Sequence, residues 1–115
     1  MQFVLLIYQG TNWANLPDLS EDEKNSIGAE YAVINQTPGV TPGAPLGLPE
    51  NATTVRVKDG KTLSTEGPFV GTEGAVGGSY MLEAADLDAA IEVASRIPAA
   101  RLGGAVEVRP VGTYW

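Results

Sequence analysis

The chain opens with an unbroken apolar run, Phe3-Val4-Leu5-Leu6-Ile7-Tyr8, of the residue types that favour strands. Alternation puts Phe3, Leu5 and Ile7 on one face and Val4, Leu6 and Tyr8 on the other. Both faces are apolar, and a strand of that kind is covered on both sides. The pattern then becomes helical. Ser20-Glu21-Asp22-Glu23 has the form of a capping box, with three carboxylates suited to the positive end of a helix dipole. Ile27, Tyr31 and Ile34 follow at i, i+4 and i+7, interrupted by Gly28 and closed by Pro38-Gly39.

Residues 39–51 contain Pro42, Pro45 and Pro49, which cannot donate to a ladder, so an edge segment or an ordered loop is expected there. Residues 53–65 predict a hairpin. A two-residue Asp59-Gly60 turn would set Lys58 opposite Lys61. Such facing like charges are unfavourable, and a three-residue loop with Gly60 left-handed and a bulge instead pairs Val55 with Leu63 and Arg56 with Thr62; this register is expected because it keeps each face consistent. Glu66-Gly67-Pro68-Phe69 is a turn, residues 71–78 a glycine-rich loop, and residues 79–84 a strand with Tyr80 and Leu82 opposite Met81 and Glu83. Asp86 caps a second helix over 87–97, with Leu87, Ala90, Ile91 and Ala94 on its apolar face. Glu92 and Arg96 form an i, i+4 pair, and Pro98 stops the helix. Residues 105–111 give a last strand, Val106 and Val108 inward, Glu107 and Arg109 outward.

The order is βαββαβ with an elaborated middle hairpin: one ferredoxin-like α+β domain over residues 1–115, its antiparallel sheet covered by two helices on one face. The other face is left open, although the first strand is apolar on that side too. A second copy of the same sheet is the simplest cover, so a homodimer is expected.

Composition removes much chemistry. The 115 residues include no cysteine and no histidine. Thiol nucleophiles, imidazole or thiolate metal sites and Ser-His-Asp triads are excluded, and neither metal nor cofactor is expected. Fourteen acidic residues against seven basic ones give a net charge of −7. That sign opposes a phosphate backbone or an anionic membrane, so no nucleic-acid or membrane partner is expected. The opening apolar run is too short for a signal core or a membrane span, which reads as a cytoplasmic protein.

Carboxylates, phenols and guanidinium groups remain. Glu66 stands on a rigid turn with Phe69 as an apolar wall, although turn chemistry alone also accounts for these residues. Glu66 and Glu83 are the candidate general bases. Tyr8, Arg56, Phe69, Tyr80, Glu107 and Arg109 are candidate ligand-binding residues, with cross-strand ion pairing as the structural alternative for the charged ones. Gly71, Gly74, Gly77 and Gly78 lack a phosphate-loop context, and Glu73 would repel phosphate. Trp13 and Trp115 are candidate interface anchors.

Leu5-Leu6-Ile7-Tyr8, Thr53-Thr54-Val55-Arg56-Val57, Glu66-Gly67-Pro68-Phe69, Gly77-Gly78-Ser79-Tyr80-Met81-Leu82-Glu83-Ala84, Asp86-Leu87-Asp88-Ala89-Ala90 and Val106-Glu107-Val108-Arg109-Pro110-Val111 together resemble the YCII-related family, in its DGPF-domain branch. The resemblance spans residues 1–111 and implies a dimeric α/β barrel of ferredoxin-like protomers. Some YCII-like proteins carry a His-Asp pair proposed as catalytic, and one relative is a dehydrochlorinase. The pair has no counterpart in a chain without histidine, and Glu66 stands where the branch has Asp. DGPF-type genes often neighbour extracytoplasmic-function sigma factors. Three readings follow: a dimer binding a small polar or aromatic molecule, a histidine-free lyase or dehydrochlorinase-like enzyme with a carboxylate base, and an interaction protein accessory to transcription control.

Overall fold

The computed structural model describes residues 1–9, 19–71 and 74–112. The first strand, β1 (Gln2–Tyr8), lies in the middle of a four-stranded antiparallel sheet. Helix α1 (Glu21–Asn35) follows, capped by the Ser20 hydroxyl, which accepts from the Glu23 amide at 3.1 Å and donates to the Glu23 carboxylate. Next come β2 (Val40–Pro42), a 3-10 turn (Pro49–Asn51), the hairpin β3 (Thr53–Lys58) and β4 (Lys61–Glu66), and β5 (Val76–Glu83). Helix α2 (Leu87–Ser95), capped by Asp86 accepting from the Ala89 amide at 2.8 Å, leads through a 3-10 turn (Pro98–Ala100) to β6 (Ala105–Pro110).

The sheet order is β2-β5-β1-β6, the ferredoxin-like arrangement. Its second strand is the short Pro-containing segment Val40–Pro42, which pairs with Leu82 to Tyr80 at the sheet edge, where a missing donor costs no ladder bond. The hairpin forms a separate two-stranded sheet inserted between β2 and β5. Gly77 and Gly78 belong to β5 rather than to a loop.

Two further expectations are corrected. The hairpin takes the two-residue turn, setting Lys58 opposite Lys61 and Arg56 opposite Leu63. Asp59 at φ +52° and Gly60 at φ +76° form the left-handed pair that matches strand twist. Almost every hairpin side chain is exposed, so no buried face dictates the register, and water screens the two lysines. Helix α2 buries Ala90, Val93 and Ala94, while Leu87 and Ile91 stay exposed. The buried stripe thus lies partly around the helix from the expected one, and it continues into Ile97.

Phe3, Leu5 and Ile7 of β1, Tyr80 and Leu82 of β5, Ile34 of α1 and the α2 stripe form the core between sheet and helices. Each fully buried apolar side chain here contributes about 1.5–3 kcal/mol. On the opposite face Val4, Leu6 and Tyr8 are only half-buried. The molecule is a slab of 46 × 40 × 19 Å with a radius of gyration of 16.0 Å. A compact chain of this length has about 13 Å. The difference reflects an uncovered sheet and a hairpin that stands off it.

Candidate ligand-binding site

The helix-free face is built from alternate residues of three strands. Register sets Arg109, Val4 and Met81 in one row and Glu107, Leu6 and Ser79 in the next. Arg109 Nε lies 3.7 Å from Glu107 Oε1, and the Tyr8 hydroxyl donates to Glu107 Oε2 at 3.1 Å. Desolvation and this carboxylate hold the Tyr8 phenol above its ordinary pKa, so it stays protonated at neutral pH. At the far corner the Met1 ammonium donates to Glu83 Oε1 at 3.1 Å and to the Ala84 carbonyl at 3.0 Å.

At the end of β1 lies an apolar cavity of about 470 Å³. Its walls are Tyr8, the loop bearing Leu46 and Leu48, and the Pro68–Val70 turn. That turn is pinned to the start of β3. The Gly67 amide donates to the Ala52 carbonyl at 2.7 Å, and the Thr54 hydroxyl donates to the Gly67 carbonyl at 2.7 Å. Gly67 sits at φ +99°, where an L side chain would be strained. Phe69 is 72% exposed at the cavity rim, with the Arg56 guanidinium 5.7 Å from its ring centre. At that distance the cation meets the ring's negative face.

The structure therefore brings Tyr8, Glu107 and Arg109 together on the open face, and Arg56 together with Phe69 at the cavity rim. Tyr80 stands elsewhere, on the helix-covered face, 7% exposed. Glu66 is exposed at the end of β4 and Glu83 is paired with the N-terminus, and neither lines the cavity. Trp13, Glu73 and Trp115 lie outside the described residues. Leu46, Leu48 and Val70 are lining residues that motif reading passed over; two leucines in a proline-rich stretch were the available signal. Among the described residues no cluster of three potential metal ligands occurs, and no helix is long and apolar enough to cross a membrane.

The model of the YCII-related domain matches residues 1–114. An uncharacterised protein of Rhizobium meliloti (strain 1021) is 28% identical over 117 residues, covering 99% of this chain and 94% of that protein.

Proposed function

The chain belongs to the YCII-related domain family, and from its own geometry we propose that it binds a small, uncharged, largely aromatic molecule in the cavity between Tyr8 and Phe69. The observation that carries this is the cavity itself: about 470 Å³, within the range of ligand sites, with hydrophobic walls and one phenol as its titratable group among the described residues. A second copy of the chain covers the helix-free sheet. Val4, Leu6 and Met81 supply its apolar centre. The ionisable groups around them, Glu107 with Arg109 and Glu83 with the N-terminus, are already paired within the protomer, so covering them strands no charge.

The alternative of a carboxylate general base has less support, because Glu66 is solvated and Glu83 is ion-paired, whereas a base is activated by partial desolvation at a pocket. Saturation-transfer NMR with indole, an uncharged aromatic probe, tests the binding reading. Indole should bind the wild type, and Phe69→Ala should weaken it by about fivefold or more, the equivalent of about 1 kcal/mol of lost aromatic contact. Equal binding by both proteins would exclude this cavity.

A further inference from the structure

A second cavity, of about 390 Å³, lies on the other side of the sheet. Its walls are Tyr31 and Asn35 from α1, Ile7 and Tyr80 from the sheet, and the segment 42–46, with Gln9 at the end of β1. Leu46 is the one residue it shares with the Phe69 cavity. We propose that this is a separate binding site for a small, uncharged, planar molecule that presents a hydrogen-bond acceptor, such as a carbonyl or a ring nitrogen, to the Tyr80 hydroxyl.

Three independent features point to a ligand. The wall 42–46 is preformed: the Gly43 amide donates to the Ser79 carbonyl at 2.9 Å and the Leu46 amide to the Gly77 carbonyl at 3.1 Å, while Pro42 and Pro45 fix the intervening backbone. A Cβ on Gly43 would come within 2.8 Å of Ser79 backbone and side-chain oxygens, so the wall sits as close to β5 as glycine allows. A wall held this way loses little entropy when a ligand enters.

The second feature is Tyr80. The residue is only 7% exposed and yet lines this cavity. A ligand acceptor bound there would gain a hydrogen bond from the Tyr80 hydroxyl. The third is the character of the lining. Phenols at Tyr31 and Tyr80 and carboxamides at Gln9 and Asn35 offer directional hydrogen bonds, and no charged side chain faces them among the described residues. With no counter-charge among the described wall residues, a charged ligand would lose its hydration uncompensated. A neutral ring between apolar walls would not.

The matched pair benzamide and benzoate separates these cases, since they differ mainly in charge. With nitrogen-15-labelled full-length protein, benzamide should shift the side-chain amide signals of Gln9 and Asn35 and the backbone amides of Gly77 and Gly78 in a saturable way. Benzoate should leave them in place. Tyr80→Phe should weaken benzamide about three- to tenfold, one net hydrogen bond. Asn35→Ala, at an exposed helix position, should weaken it without altering the fold. Phe69→Ala should leave it unchanged, which keeps the outcome distinct from that of the indole experiment. Comparable shifts with benzoate, no saturable shift in the wild type, or wild-type affinity in both Tyr80→Phe and Asn35→Ala would overturn the proposal.

Discussion

Leu6→Asp tests the paired-sheet arrangement most directly. Leu6 lies at mid-strand on the helix-free face, between Ser79 and Glu107, with its side chain directed away from the core that Leu5 and Ile7 enter. In a two-fold pair each substitution acts twice. An unpaired carboxylate buried at such a contact costs about 3 kcal/mol or more, and the Glu107–Arg109 pair beside it is already internally neutralised and offers no spare counter-charge. Two copies therefore cost about 6 kcal/mol, a loss of more than four powers of ten in Kd, enough to abolish a micromolar dimer. In the separate protomer the same residue is half-exposed, so folding should lose about 1 kcal/mol. Sedimentation velocity should show a wild-type dimer at micromolar concentration and a folded monomer for Leu6→Asp. The wild-type Tm should rise with protein concentration and that of the variant should not. A monomeric wild type, or a variant that sediments as the wild-type dimer, would refute the arrangement.

Two further outcomes follow from particular contacts. Gly104→Ala would drive a Cβ into the Tyr8 carbonyl oxygen and to 3.1 Å from the Ala99 carbonyl oxygen, both backbone atoms that cannot swing aside. It should cost about 2–3 kcal/mol by urea denaturation and disturb the end of β1, and a cost under about 0.5 kcal/mol would contradict this. Burial first, and then the neighbouring Tyr31, hold the Tyr80 phenol above its ordinary value near 10. Below pH 10 the phenol is neutral in both folded and unfolded chains and stability is full. As pH rises further the unfolded chain loses the proton first, so stability falls until the folded phenol also ionises. Urea midpoints at about pH 9 and about pH 11 should drop less in Tyr80→Phe than in the wild type, with a remainder from Tyr8, whose phenol is raised in the same direction. Parallel drops would show that Tyr80 does not carry the effect.

Local features with short-range causes were legible in the sequence. The Ser20 cap, the Asp86 cap, the alternation of Tyr80 and Leu82 against Met81 and Glu83, and the two-sided apolar β1 follow from hydrogen-bonding and periodicity rules within a few residues. Sequence and structure differ where the choice depends on what the element packs against. A consistent buried face favours the bulged hairpin register, but the hairpin buries hardly anything, so turn geometry at Asp59-Gly60 decides instead. In α2, Leu87 and Val93 both fit helical periodicities. Only the position of the helix over the sheet selects Val93 and Ile97. The candidate sites were harder still: alternation separates Tyr80 from Tyr8, yet which of the two faces a cavity depends on loops that periodicity does not place.

The chemistry available at the Phe69 cavity also bears on whether it turns its ligand over. Among the described lining residues the one titratable group is Tyr8, and its hydroxyl proton is committed to Glu107 Oε2 at 3.1 Å. A phenol pushed upward from its ordinary pKa is a poor base at neutral pH, because almost none of it is ionised. As an acid it would have to release a proton that its carboxylate partner already holds in place. The same hydrogen bond suits a binding role: it fixes the ring at the cavity wall in one orientation, so the wall is set before a ligand arrives. Glu107→Gln tests the binding role. It keeps an acceptor oxygen for Tyr8 but removes the charge, and so lowers the phenol pKa toward its ordinary value. Indole affinity should change less than about threefold, since the ring position is retained. A much larger loss would mean that the Glu107 charge, rather than the orientation it imposes on Tyr8, governs the site.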